Sequence, residues 1–224
     1  MTARAGKVCG SELKNLITDK GAIRSFKTEM PQKYLHRKLA EKWRGQPLES
    51  FFAGNRQTTQ GNIWEPQARR YCAALMDCDI VEVGGIESDD GKLWCSPDGI
   101  IGENVGLEIK APNPDTHIGW LLEGGVPEEH VLQVQFALYV TDWPQWQFLS
   151  YCKDLPHLAV TVERNPELFD TIIEAVFDFN ERFEAAWKRL CEINGGPPPP
   201  RQTFIPSAGP IRFSWECSGE DVPT

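Results

Sequence analysis

The chain has 224 residues, 41% of them hydrophobic and 25% charged, which is enough for one sizeable core and typical of a globular protein. It has no run of about 18 apolar residues, and its first residues lack the apolar core of a signal peptide, so a cytoplasmic protein is expected and not a membrane-spanning or secreted one. The formal net charge of −9 argues against a surface coated with nucleic acid, yet up to Arg70 there are 14 Lys and Arg against 6 Asp and Glu, a local balance of +8. That segment reads either as the lining of a DNA channel in an acidic body or as a solvated basic helix.

The seven cysteines are odd in number, scattered and never spaced as C-x-x-C, which points to buried reduced thiols and not to disulfides, zinc or an iron–sulfur cluster. His36, His117, His130 and His157 show no zinc-binding spacing. His130 lies one helical turn before Gln133 and is read as structural or as approaching the site.

In chain order, a helix is predicted from Met30 or Pro31 to about Arg44, with Tyr34, Leu35, Leu39 and Trp43 on its apolar stripe and Lys33, Arg37, Lys38 and Lys42 forming a basic face. A second helix covers roughly Gln60 to Met76, and Pro66 either kinks it or marks its true start. Strands follow at Ile80–Ile86 and Leu93–Cys95, joined by an Asp90-Gly91 turn, and at Val105–Ala111. The stretch Pro127–Val140 reads as a helix with an acidic first turn. Gln145–Cys152 and His157–Glu163 read as paired strands. A long amphipathic helix then runs from about Pro166 to Ile193, burying Leu168, Ile172, Val176, Phe179, Phe183 and Trp187. Gly195, Gly196 and the prolines after them end regular structure. The expected organisation is one domain over 1–194 with a basic N-terminal segment, and a Pro-rich C-terminal tail over 195–224.

The chemistry concentrates in Leu93–Pro112, LWCSPDGIIGENVGLEIKAP. Strand alternation over Val105–Ala111 puts Glu108 and Lys110 on one face and turns Leu107 and Ile109 into a core. Asp98, between Pro97 and Gly99, belongs to a turn able to bring its carboxylate back beside Glu108. Two hard oxygen ligands with a cation beside them suit Mg²⁺ and a phosphate.

This P-D, gap, E-x-K pattern resembles the signature of the PD-(D/E)XK nucleases. S-P-D-G followed by G-L-E-I-K, with ten residues from Asp98 to Glu108, is similar to the lambda exonuclease family of phage recombination nucleases. The resemblance covers roughly Leu13 to Asn194. It implies an α/β (α+β) fold with a restriction-endonuclease-like core, a central mixed sheet flanked by helices.

It further implies that Asp98, Glu108 and the Ile109 carbonyl bind one or two Mg²⁺ ions, for which Mn²⁺ can substitute. Glu65 matches an upstream acidic residue assisting the second ion, and Lys110 orients or deprotonates the attacking water. Gln135, four residues before Tyr139 in Q-V-Q-F-A-L-Y, matches a glutamine near the scissile phosphate or a metal-bound water, and Gln133 is placed too far round the helix to share that role fully.

The family carries an arginine ahead of a short I-T-A-S turn that helps hold the 5′-phosphate. Here that role is assigned to Leu16–Lys27, with Arg24, Ser25 and Lys27 as the phosphate ligands. The implied activity is ATP-independent 5′-to-3′ digestion of one strand of linear double-stranded DNA, leaving 3′ single-stranded overhangs. A homotrimeric ring and a single-strand annealing protein as partner come with the family. A restriction-type endonuclease and a non-catalytic DNA-binding module are the rival readings.

Overall fold

The computed structural model describes residues 4–48 and 56–199, with the backbone alone for 56–63. In chain order the elements are β1 (Val8–Cys9), a 3-10 helix (Gly10–Asn15), α1 (Glu29–Arg44), α2 (Arg56–Met76), β2 (Ile80–Val81), β3 (Ile86–Glu87), β4 (Leu93–Cys95) and β5 (Gly99–Ile101). They continue with β6 (Val105–Lys110), α3 (Pro114–Glu123), α4 (Glu128–Thr141), β7 (Gln145–Ser150), β8 (Leu158–Glu163) and α5 (Pro166–Asn194). The Pro-rich tail lies outside the described residues from 200 onward.

The expected central mixed sheet flanked by helices is present. Five strands run in the order β2-β5-β6-β7-β8, antiparallel except for β6 and β7. A parallel pair needs a crossover, and α3 and α4 supply it between β6 and β7. A second sheet of three short strands, β1-β4-β3, lies beside the N-terminal segment.

The predicted Ile80–Ile86 strand is divided between the two sheets, with β2 pairing β5 and β3 pairing β4. The break falls at Gly85, whose φ of +151° and whose position 2.2 Å from the Trp94 ring, measured to where a Cβ would sit, admit only glycine. The Asp90-Gly91 turn joins β3 to β4 as expected, closed by the Gly91 amide on the Ser88 carbonyl at 2.9 Å. The sequence reading had no counterpart for β1, β5, α3 or the 3-10 helix.

Helix α4 is buried on two sides and ties the molecule together. Its Leu132 and Phe136 join a cluster with Leu13, Leu16 and Ile17 of the N-terminal segment and with Ile172, Val176, Phe179 and Phe183 of α5. Its Val134, Ala137 and Leu138 pack with Trp146 and Phe148 of β7. The far face of the sheet is covered by α2, where Ala68 and Cys72 meet Leu107, Ile109 and Leu149. The stripe predicted for α5 faces the core, with Leu168 and Trp187 at its partly buried ends. The cysteines among the described residues are unpaired thiols.

The basic face expected on α1 is largely neutralised. Lys38 is fully buried between Glu12 and Glu41, Arg37 pairs with the same two carboxylates, Lys33 pairs with Glu29, and Lys42 pairs with Glu184. A charge stripe read from helical periodicity says nothing of acids brought in from other elements, and Glu12 arrives from the 3-10 helix.

Gly106 gives this packing a test. A Cβ there would stand 2.3 Å from the ring of fully buried Trp146, which has no room to withdraw. Gly106→Ala should therefore cost about 1–3 kcal/mol of stability by overpacking, read as a lowered urea midpoint at unchanged slope.

Candidate active site

Strand β6 builds the site. Its alternation places the Lys110 ammonium 2.5 Å from Glu108 Oε1 on one face, while Leu107 and Ile109 enter the core behind. Asp98 sits in the connection from β4 to β5. Its backbone amide donates to the Leu107 carbonyl at 2.9 Å and its Oδ2 accepts the Ile109 amide at 2.6 Å. The carboxylate thus takes the place of a strand partner just ahead of the first residue of β5.

An extended residue points its N–H and C=O toward the same edge, so the Ile109 carbonyl is directed to the Asp98 side. Pro97, which precedes Asp98, has no N–H to offer there.

Burial and repulsion by Glu108 push the Asp98 carboxyl up to about 7, against the smaller lowering from the Ile109 amide. Burial pushes Glu108 up as well, with Lys110 and Gln133 opposing. Burial alone would lower Lys110, but Glu108, Asp98 and Glu65 hold its ammonium above the ordinary lysine range. Two carboxylates that resist ionising side by side, next to a backbone carbonyl, form the hard-oxygen donor set that fits a divalent cation. Among the described residues no three His, Cys, Asp or Glu side chains converge into a complete metal cluster.

Glu65 is on α2, which continues through Pro66. Its Oε1 is 2.7 Å from Arg69, whose other nitrogens reach Glu82 Oε2 and the Asp98 carbonyl, each at 2.7 Å. Arg69 therefore links the Glu65 helix to the backbone of Asp98.

The structure reverses the reading of the two glutamines. Gln133 Nε2 donates to Glu108 Oε1 at 2.7 Å, and its Oε1 accepts from Lys110 at 3.5 Å. Gln135 is buried elsewhere, donating to the Glu163 carbonyl and accepting from the Asn165 amide, where it ties α4 to the link between β8 and α5. Tyr139 likewise faces Phe169.

His130 packs between Trp120 and Phe148, and burial, with repulsion from Lys110 and Lys14, pushes it down to about 3 and keeps it neutral. His117 is buried and bonded to Ser150 and the Pro156 carbonyl.

Arg24, Ser25 and Lys27 are not brought to this acid cluster by any hydrogen bond or ion pair among the described residues. Arg24 braces the Lys14 carbonyl, and the Ser25 hydroxyl accepts the Lys27 amide. A cavity of about 50 Å³ does adjoin Glu108 and Gln133, lined also by Arg4, Cys9, Ser11 and Ser96. That is well above the roughly 10–15 Å³ needed to admit a single water-sized group. The Ser96 hydroxyl accepts the Trp94 indole N–H at 2.9 Å, which frees its own proton for an anion.

The sequence did carry a signal for this cavity. Arg4 ahead of Val8-Cys9-Gly10-Ser11 fits an arginine before a short turn ending in serine better than Leu16–Lys27 does.

Residues 1–144 match the YqaJ-like viral recombinase domain. Among solved structures, the fold is similar to an alkaline exonuclease, LHK-Exo, from Laribacter hongkongensis, at 27% identity and a TM-score of 0.74, covering 86% of this chain and 95% of that one. The same protein in complex with dAMP matches equally. A phage-related exonuclease from Haemophilus somnus 129PT shares the fold at 16% identity and a TM-score of 0.63, over 82% of this chain and 96% of its own. No curated protein sequence matches this chain.

The raised Asp98 carboxyl has a consequence for stability. With its native value near 7 and its ordinary value at 3.8, the folded state binds the extra proton, so its stabilising contribution is present below about 4 and lost as pH rises through about 7. In divalent-free buffer, Asp98→Asn should therefore melt higher than the wild type at pH 8 and show a flatter Tm profile between pH 4 and 8. Parallel wild-type and variant profiles would contradict this electrostatic picture.

Proposed function

The chain belongs to the YqaJ-like viral recombinase domain family, and we propose that it is a divalent-metal-dependent, ATP-independent exonuclease that digests one strand of linear double-stranded DNA from the 5′ end. The observation that carries the polarity is the cavity lined by Arg4, Ser11 and Ser96, which opens directly beside Glu108. A terminal phosphate held there puts the adjacent phosphodiester at the acid cluster, so the end of the strand is measured from its 5′ side and a 3′ overhang is left.

Asp98, Glu108 and the Ile109 carbonyl are the groups that would hold the cation, with Glu65 as an accessory acid. Once held there, Mg²⁺, or Mn²⁺ in its place, would supply Lewis-acid polarisation of the phosphodiester and activation of water. Lys110, in its ammonium form, orients the attacking water and neutralises charge that builds on phosphorus. Gln133 fixes the relative position of Glu108 and Lys110 by bonding both. In the cavity, Arg4 contributes charge and the two serines contribute hydroxyl donors to the terminal phosphate.

The family resemblance supports three further parts of the reading: a trimeric ring around the duplex, delivery of the 3′ strand to a single-strand annealing protein, and a cytoplasmic setting. No helix among the described residues is long and apolar enough to cross a membrane.

The direct test offers Mg²⁺, without ATP, and three substrates: linear duplex with 5′-phosphate, linear duplex with 5′-hydroxyl, and a closed circle. Rapid digestion of the first, slow digestion of the second and survival of the third are expected. Digestion from 3′ ends, or cutting of the circle at the linear rate, would overturn the 5′-exonuclease reading.

On 5′-phosphorylated ends, Lys110→Ala should lose activity on the order of 10² or more at unchanged Mg²⁺ affinity. Rescue by excess Mg²⁺ would place Lys110 in metal binding. Gln133→Ala should lose roughly tenfold or more of cleavage while folding normally, whereas Gln135→Ala should lower stability by about 1–3 kcal/mol and leave cleavage per folded molecule intact. Equal kinetic defects in the two variants would refute the exchange of their roles.

A further inference from the structure

Behind Arg4 lies a buried charge cluster for which the hydrolytic chemistry has no use. Lys38, halfway along α1, has its Nζ 2.7 Å from Glu12 and 2.9 Å from Glu41, with its side chain 1% exposed. Glu12 also meets Arg37 at 2.7 Å and accepts the Tyr34 hydroxyl at 3.3 Å. Arg37 Nε reaches Glu41 at 3.3 Å, and Glu41 also accepts the Gly6 and Leu48 amides.

Arg4 is the loosest member. It stands 3.8 Å from Glu12, its side chain is 40% exposed, and its Nε donates to the Cys9 thiol at 3.3 Å. Burial would raise the Glu12 carboxyl, but Lys38, Arg37 and Arg4 outweigh it and hold Glu12 below the usual range. Three cations face two carboxylates, and the cluster carries a surplus charge of +1 at the one cation that borders the cavity.

We propose that Lys38 is a positioning residue for recognition of the DNA end: by saturating Glu12 and Glu41 it keeps the Arg4 guanidinium unneutralised, so that the surplus charge selects a terminal phosphate over a terminal hydroxyl. The inference rests on reading the cavity as the 5′-phosphate site. An isolated buried ammonium is costly and a methionine fills similar space, so core stability alone does not call for a lysine here. Without Lys38, the two carboxylates draw Arg37 and Arg4 into full pairs and the cluster becomes neutral. The cation nearest the cavity then has no charge to spare.

The experiment measures the ratio of kcat/KM on 5′-phosphoryl and 5′-hydroxyl linear duplexes in the full-length protein. Lys38→Met should reduce that ratio about tenfold or more toward parity, with the 5′-hydroxyl rate unchanged. Glu41→Gln, which adds one surplus positive charge, should raise the ratio. The double variant restores the +1 balance and should return the ratio toward the wild-type value. If Lys38→Met does not fold, the opposite shifts expected of Glu41→Gln and of the double variant relative to it still decide the matter.

Arg4→Gln separates the inference from the reading beneath it. Loss of the ratio in Arg4→Gln with no change in the other variants overturns the role of Lys38 alone. An unchanged ratio in Arg4→Gln overturns the cavity assignment itself. Equal losses on both substrates in the Lys38 and Glu41 variants would make the cluster merely structural and overturn the proposal.

Discussion

One hydrogen bond, from the Ile109 amide to Asp98 Oδ2 at 2.6 Å, fixes the geometry on which the site depends. It lets a carboxylate extend the edge of β6 just ahead of the first residue of β5, and so brings two acids together that would separate in water. Burial is the main cost, visible in the upward displacement of both carboxyls, and repulsion from Glu108 adds to it at Asp98. The surrounding packing holds them in spite of it: Leu107 and Ile109 are pinned against Ala68 and Cys72 of α2, and α4 closes the other side.

Much of this was legible in the amino-acid sequence because it depends on local periodicity. The period of two over Val105–Lys110 separates Glu108 and Lys110 from Leu107 and Ile109 with no tertiary information, and the 3.6-residue stripe of α5 runs from Leu168 to Trp187. Gln133 and Gln135 could not be ranked in the same way. Helix α4 is apolar on two sides because it is packed between two clusters, so periodicity does not mark which face meets β6. The buried role of Lys38 was equally hidden, since it is defined by a glutamate 26 positions earlier that the chain returns to it. Strands of two or three residues such as β1 and β5 exist only through their partners and leave no pattern of their own.

The N-terminal segment shows how charge composition misleads when read without pairing. Its positive balance suggested a broad basic surface. Among the described residues the structure pairs half of its fourteen cations with carboxylates: Lys7 with Glu87, Lys33 with Glu29, Arg4, Arg37 and Lys38 with Glu12, Arg37 and Lys38 also with Glu41, Lys42 with Glu184, and Arg69 with Glu65 and Glu82. The stripe along α1 is thereby neutralised, and the cation that borders the cavity is Arg4. A localised charge discriminates between chain ends, whereas an extended one would grip any length of duplex equally.

The Arg69 fork carries a thermodynamic implication of its own. Glu65 Oε1 is held by Arg69, and Arg69 in turn holds the carbonyl of Asp98, so any cation that displaced the guanidinium from Glu65 would also release the backbone of Asp98 from α2. Linkage makes that competition reciprocal: whatever free energy such a cation would lose to Arg69 would reappear as loosening of α2 against the sheet. The strength of the Glu65–Arg69 pair and the attachment of α2 to the Asp98 turn are two readings of the same equilibrium.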